Sequence, residues 1–263
     1  MLKKNKVKLK RMTYILGAKC SDGVVIIADR KVSGQLVKER YSDKIKAVPN
    51  FPSMIFSAAG IQDLFEQFLQ ELPRRVYRSA AYLEAQNKEM PEQARYEYGV
   101  YNFKVDCVNL LNEMSEIYKN LPDDETSLQV MFVMKEQGTN NLPTSTLYYL
   151  DWGTKYPIPV ETYMPIGQGH LGKIFLKAFK PEMNMVECAK LGAFIIRYIE
   201  KEDLSDGESI GCGDKLPQIW LCPNKGEFKE LKGNELQQIY SGVEGKVSEI
   251  SKTIGISSKL FRL

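Results

Sequence analysis

The run Val24-Val25-Ile26-Ile27-Ala28 constrains the fold more than any other feature of the sequence, because it carries no polar side chain. It follows Ser21-Asp22-Gly23, a turn signal in which Asp bonds its own backbone and Gly tolerates a positive φ. Residues 13 to 19 alternate weakly before that turn, so the segment predicts a β-hairpin. A strand that is apolar at consecutive positions needs cover on both faces, which an open one-layer sheet does not provide.

Other segments fall into groups of strands and groups of helices. Short apolar runs predict strands at Met54–Ala58, Leu128–Met134, Leu147–Leu150 and Gln218–Cys222. Apolar periodicity predicts helices at Ile61–Leu72, Cys107–Tyr118, about 170–180 and Met183–Lys201. We expect Pro73 to end the first helix and Lys135–Asn141 to form a loop. This grouping, with strands covered on both faces, favours an α+β layered sandwich over a wound βαβ sheet.

Composition and charge exclude several classes of protein. Of the 263 residues, 43% are hydrophobic and 26% are charged, which is a globular composition. The formal charge of +3 is uneven: six of the 36 basic residues lie in residues 1–12, so the other 30 face 33 acidic residues. Clustered Lys and Arg can bind phosphate, but this run has no aromatic residue and the body has no basic patch. Nucleic acid is therefore not an expected partner.

The cysteines and the single histidine limit metal and cofactor chemistry. The cysteines are Cys20, Cys107, Cys188, Cys212 and Cys222. They form no close C-x-x-C pair, which excludes zinc fingers and haem attachment, and no glycine-rich phosphate loop is present. We expect no cofactor and no metal. An odd number of thiols predicts reduced, buried cysteines in a cytoplasmic protein, and the apolar runs are too short to span a membrane.

Few residues could form a catalytic set. His170 would have to serve any serine or cysteine triad alone, and its place at a predicted helix start is typical of a capping or surface residue. Asp123-Asp124 lies in a proline-containing turn, where carboxylates are usually solvated. A threonine remains: Thr13 opens the first predicted strand, and Asp29 follows the second.

Several segments around this threonine resemble one family. They are TYILGAKCSDGVVIIADRKVSG from Thr13, SDKI from Ser42 and SAAGIQD from Ser57. They resemble the N-terminal half of proteasome β-type subunits, which are threonine-type N-terminal nucleophile hydrolases. Weaker similarity continues through LYYLDWGTKY, IGQG and DGESIG, so the resemblance touches most of residues 13–222. It implies a four-layer αββα sandwich, a polypeptide substrate, and self-association or related subunits in a ring or stack.

The resemblance also implies the roles of individual residues. Thr13 matches the nucleophile, Asp29 the acid after the second strand, and Lys44 the lysine before an aliphatic residue. Gly60 matches the glycine whose N–H faces the oxyanion. The pair that supports the threonine amine corresponds to Asp206 and Ser209, with Asp203 as the alternative to Asp206. Where the family has G-S-G-S, this chain has Gly167-Gln168-Gly169-His170.

An internal threonine has no free amine, and this sets a strict condition. A threonine hydroxyl is a poor nucleophile, but an α-amino group titrates at about 7.7 to 8.0 and can serve as its base. Thr13 therefore needs residues 1–12 to be absent, either through cleavage of a propeptide or through translation that starts at Met12. We accordingly expect a leader at 1–12, a hydrolase domain at 13–232 and a C-terminal helical extension at 233–263.

The leading hypothesis is a proteasome-like threonine endopeptidase that acts in intracellular protein degradation. One alternative on the same fold is an amidase or transpeptidase, in which an amine resolves the acyl-enzyme. Another is a structural ring subunit that never exposes Thr13.

Overall fold

The computed structural model describes residues 13–34, 37–48, 51–60, 62–86, 92–118, 128–138, 142–167, 173–202, 210–212, 215–243 and 245–246. Its strands are β1 (Tyr14–Cys20), β2 (Gly23–Ala28), β3 (Lys31–Gly34), β4 (Val37–Tyr41), β5 (Ile45–Val48), β6 (Phe51–Gly60), β7 (Leu128–Gln137), β8 (Pro143–Leu150), β9 (Ile158–Pro159), β10 (Tyr163–Gly167), β11 (Gln218–Pro223) and β12 (Lys229–Glu230). Its helices are α1 (Gln62–Gln86), α2 (Glu92–Tyr118), α3 (Lys173–Leu176), α4 (Met185–Glu202) and α5 (233–243).

Most of the described strands belong to two antiparallel sheets. The first sheet has the order β10-β1-β2-β11-β12, and the second has the order β5-β6-β7-β8-β9. Strands β3 and β4 pair as a separate ribbon. The mixed α+β class predicted from the sequence is confirmed. Strand β10, which the sequence patterns did not predict, forms an edge of the first sheet beside β1.

Strand β2 is buried at every position, as its uninterrupted apolar run predicts. Val25 and Ile27 point to one side, into a cluster with side chains of α4 and α5. Val24 and Ile26 point to the other side, into a cluster that includes Met131 and other residues of the second sheet. Both faces of β2 are therefore covered by apolar side chains.

A third apolar cluster joins the second sheet to α1 and α2. Phe56 of β6 and Phe132 of β7 stack with ring centroids 5.1 Å apart, and Phe68 of α1 lies against Phe56 at 5.9 Å. Leu110 and Leu111 of α2 are buried in the same cluster. The helices thus pack on the face of the second sheet that points away from β2.

Helix α1 continues through Pro73, so the expectation that Pro73 ends it is wrong. Proline removes one helical N–H and crowds the preceding turn. The helix continues because its second half packs on α2: Arg75 pairs with Glu113, and Ser79 Oγ donates to Asp106 Oδ2 at 2.8 Å. These tertiary contacts outweigh the local preference.

Two further expectations are corrected by the structure. Residues 135–137 extend β7 and pair with β8, whereas the sequence predicted a loop from Lys135. The strand continues because Glu136 has partners on α2 and β8. It pairs with Lys104 of α2 at 2.6 Å and accepts from the hydroxyl of Tyr148 of β8 at 2.6 Å. Near residues 170–180, the described helix is the four-residue α3 alone. Helix α4 lies where the sequence predicted it.

Among the described helices, none is both long and apolar enough to cross a membrane. The five cysteines are buried and form no disulfide. The apolar residues Leu236, Ile239, Tyr240 and Val243 of α5 pack into the cluster over the first sheet.

Candidate active site

The site forms where β1 begins and β2 ends. Ile15 pairs with Ala28 across the two antiparallel strands. Thr13, before the start of β1, and Asp29, after the end of β2, therefore lie at the same end of these neighbouring strands. The Asp29 N–H donates to the Tyr14 carbonyl at 3.0 Å, and the Tyr14 N–H donates to Asp29 Oδ1 at 2.8 Å. These two bonds fix the Asp29 carboxylate beside the backbone of the residue after Thr13.

Lys44 comes from the other sheet, directly before β5. Its Nζ donates to Asp29 Oδ1 at 2.6 Å and to Thr13 Oγ1 at 3.3 Å. The side chains of Lys44 and Asp29 are only 7% and 0% exposed. The structure thus brings Lys44 together with Asp29 and Thr13, which lie 15 and 31 residues before it in the sequence.

Burial dominates the electrostatics of this pair. Desolvation raises the pKa of the Asp29 carboxyl and lowers the pKa of the Lys44 ammonium, while the attraction between the two groups opposes both shifts. An ammonium with a lowered pKa holds its proton less tightly, and it lies within hydrogen-bond distance of the Thr13 hydroxyl. Lys44 is therefore suited to stabilise negative charge on Oγ1 and to exchange a proton there.

Gly60 ends β6 with a φ of 130°, a conformation that side chains rarely adopt. Its neighbour Ala59 borders the site, because the Cβ of Ala59 lies 3.2 Å from the point where a side chain on Gly167 would begin. The same point overlaps the carbonyl oxygen of Thr13. The end of β6 therefore lies beside Thr13, and Gly60 is next to that contact.

Gly167 and Gln129 support the backbone on this side of the site. Gly167 pairs with Tyr14 at the start of β1 and has a φ of 77°. Its N–H donates to Gln129 Oε1 at 2.8 Å, and Gln129 Nε2 donates to the Tyr149 hydroxyl at 3.2 Å. Gln129 lies opposite Ala59 in the second sheet. The Gln129 side chain thus links the edge strand β10, beside Thr13, to β7 and β8 of the second sheet.

The architecture has a relative among solved structures. A Gly-1 mutant of Anbu from Hyphomicrobium sp. strain MC1 matches with a TM-score of 0.62 and 13% identity, over 91% of this chain and 96% of that chain. The two chains share a fold. That fold resembles the N-terminal nucleophile type. No protein-family model and no curated protein sequence matches the chain.

Several residues of the expected set lie outside the described residues. These are residues 1–12, Gln168, Gly169, His170, Asp203, Asp206 and Ser209. The backbone that follows Ser209 is described and is held beside Asp29: the Gly211 carbonyl accepts the N–H groups of Arg30 at 3.1 Å and Lys31 at 2.9 Å. Gly211, two residues after Ser209 in the sequence, therefore borders the site.

Sequence patterns did not indicate Gln129, Gln218 or Cys212 as members of this region. Each is an isolated residue, and its partners lie far away in the sequence, so no spacing marks it. Cys212 is 1% exposed, and burial together with the nearby charge of Asp29 raises the pKa of its thiol to about 12. The described residues contain no group of His, Cys, Asp and Glu that could hold a metal ion.

Proposed function

We propose that this chain is a proteasome-like threonine peptidase whose nucleophile is Thr13. The observation that carries the proposal is the chain of contacts from Thr13 Oγ1 to Lys44 Nζ, at 3.3 Å, and on to Asp29 Oδ1, at 2.6 Å. A buried, hydrogen-bonded ion pair aimed at one hydroxyl is an arrangement that activates a nucleophile. The fold shared with Anbu supports the same proposal.

The chemistry follows from an amino-terminal Thr13. The α-amine accepts the proton of Oγ1 as the oxygen attacks the peptide carbonyl, and Lys44 lowers the energy of the negative charge on that oxygen. The carbonyl oxygen becomes an oxyanion, which the Gly60 N–H stabilises; loss of such a donor costs about 2.7–4 kcal/mol. The protonated amine then gives its proton to the leaving amine. Water then hydrolyses the ester that joins the acyl fragment to Thr13 Oγ1. This step releases that fragment and restores the hydroxyl.

The finer features of the proposal extend beyond the described residues. Asp206 and Ser209 support the threonine amine, since the backbone at Gly211 already lies against Arg30 and Lys31 beside Asp29. The two sheets and their helices form the four-layer αββα sandwich of this hydrolase type. Copies or relatives of the chain assemble into a ring or stack that encloses the site, and the substrate is an intracellular polypeptide.

The first experiment measures the intact mass of the purified active protein. We expect a mass that corresponds to a chain beginning at Thr13. Retention of residues 1–12 in protein that turns over peptides would refute the proposal.

The second experiment compares Thr13→Ala with Thr13→Ser. Thr13→Ala removes the hydroxyl, so peptide turnover should disappear while the assembly is unchanged in size-exclusion chromatography. Thr13→Ser keeps a hydroxyl on an amino-terminal residue and should retain measurable turnover. Turnover by Thr13→Ala would place the reaction at another residue. Joined product in the presence of a peptide amine would instead identify a transpeptidase.

A further inference from the structure

Gln218 makes an unusual contact with the backbone next to Lys44. Its side chain is 2% exposed and lies at the start of β11. The Ile45 N–H donates to Gln218 Oε1 at 2.8 Å, and Gln218 Nε2 donates to the Ile45 carbonyl at 2.9 Å. Both polar groups of the Ile45 backbone are thus held by one amide side chain, in the manner of a paired strand.

The contact joins the two halves of the ion pair through the backbone. Gln218 pairs with Ala28 in the first sheet, one residue before Asp29. Ile45 lies in the second sheet, one residue after Lys44. Because Asp29 directly follows β2 of the first sheet and Lys44 directly precedes β5 of the second, this bridge sets the separation of the two sheets at the point where the ion pair forms.

The orientation of the amide is fixed by its surroundings. Nε2 also donates to Glu230 Oε1 at 3.2 Å, so the nitrogen faces two acceptors while Oε1 faces a donor. A glutamine is suited to this place because it offers both a donor and an acceptor without adding a charge beside Lys44. A glutamate of the same length lacks the donor, and an apolar side chain lacks both the donor and the acceptor.

We propose that Gln218 is a positioning residue that holds Lys44 at hydrogen-bond distance from Thr13. The inference rests on the proposed function of Thr13 as nucleophile. Gln218 touches neither the substrate nor the reacting atoms, and it acts through the backbone of Ile45. Since Lys44 is useful only when its Nζ reaches Thr13 Oγ1, now at 3.3 Å, loss of the bridge lowers the rate of the chemical step.

The test uses Gln218→Met and Gln218→Glu in the complete chain, purified in the form that the host processes. Gln218→Met keeps the length of the side chain and removes both hydrogen bonds. Gln218→Glu keeps the acceptor and replaces the donor with oxygen. We expect kcat to fall about 10- to 100-fold in each variant, with KM changed less than about twofold. If Gln218→Met does not fold, Gln218→Glu carries the test.

Ser145 of β8 provides a matched control, because it contacts the other end of β11. It is also 2% exposed and bridges the two sheets, since its Oγ donates to the Pro223 carbonyl at 2.9 Å. Ser145→Ala removes an inter-sheet hydrogen bond far from Lys44. It should shift the thermal midpoint in the same direction as the Gln218 variants while kcat stays within about twofold of the unmodified protein.

A structure of Gln218→Glu gives a readout independent of turnover. We expect the distance from Lys44 Nζ to Thr13 Oγ1 to exceed hydrogen-bond range. An unchanged distance, or equal kcat losses in the Gln218 and Ser145 variants, would overturn the inference. If the unmodified protein has no Thr13-dependent turnover, the proposed function fails, whereas the distance still decides whether Gln218 positions Lys44.

Discussion

The ammonium nitrogen of Lys44 lies 2.6 Å from Oδ1 of Asp29, and the two side chains are 7% and 0% exposed. Each charge would be costly to bury alone, so each is tolerated because the other is present. The pair therefore contributes to the stability of the fold as well as to the proposed chemistry.

Lys44→Met should lower the free energy of unfolding by about 3–5 kcal/mol, because it leaves the Asp29 carboxylate buried without its partner. The double variant Asp29→Asn/Lys44→Met should recover part of this loss, since neither charge remains. Urea denaturation of the single and double variants measures both effects.

Lys229 and Glu235 form a matched control pair. They lie 2.8 Å apart with side chains that are 53% and 57% exposed. Exposed pairs contribute about 0–1 kcal/mol, so Lys229→Met should change stability little. Equal losses for Lys44→Met and Lys229→Met would contradict the importance of the buried pair.

Gly167→Ala should destabilise the protein and reduce turnover, because a side chain at this position overlaps the Thr13 carbonyl. Gly153→Ala is the control, since Gly153 also has a positive φ, 88°, and nothing lies within 4 Å of the added Cβ. Both variants pay the cost of the backbone conformation. We expect Gly167→Ala to lose about 1–3 kcal/mol more than Gly153→Ala, as overpacking does. Similar unfolding curves for the two variants would show that the contact with Thr13 is not tight.

The Cys212 thiol should make stability fall at alkaline pH. Its pKa is raised from 9.0 to about 12, so the folded chain keeps a proton that the unfolded chain loses in this range. The unfolded state then binds fewer protons, and the free energy of unfolding decreases as pH rises. From pH 9 to pH 10 this contribution is about 1 kcal/mol. Urea denaturation should show that the free energy of unfolding falls by about 1 kcal/mol less in Cys212→Ala than in the unmodified protein between pH 9 and pH 10. An equal fall in the two proteins would contradict the prediction.

Pro73→Ala should stabilise the protein, by up to about 3 kcal/mol, because alanine restores the N–H that proline removes from the interior of α1. Thermal and urea denaturation measure the change. A loss of stability would show that the packing of α1 on α2 depends on a bend at Pro73.

Sequence patterns predicted the elements whose signal is local. The apolar run after Ser21-Asp22-Gly23 predicted both β2 and its cover on two faces, and the apolar periodicity after Met183 predicted helix α4. Pro73 misled because the contacts that carry α1 beyond it, from Arg75 and Ser79 to α2, are absent from any local pattern. Local rules fail where tertiary packing decides.

The candidate site also contains residues that the sequence could indicate and others that it could not. Thr13, Asp29 and Lys44 could be named because the residues around them resemble a known family, and the structure brings these three together. Gln218 could not be named, since its partner Ile45 is 173 residues away and the contact is made with backbone atoms. Any residue except proline offers the same backbone N–H and carbonyl at position 45, so the identity of Ile45 does not reveal the contact.

The ladder of β1 begins with the pairing of Tyr14 and Gly167, so Thr13 stands one residue outside the sheet. Its hydroxyl is already held by Lys44, and its carbonyl already lies against Gly167. A cut between Met12 and Thr13 therefore breaks no hydrogen bond of the described ladder. The proposed function therefore requires no rearrangement of this strand end: removal of residues 1–12 would expose the Thr13 amine on a scaffold that is already assembled.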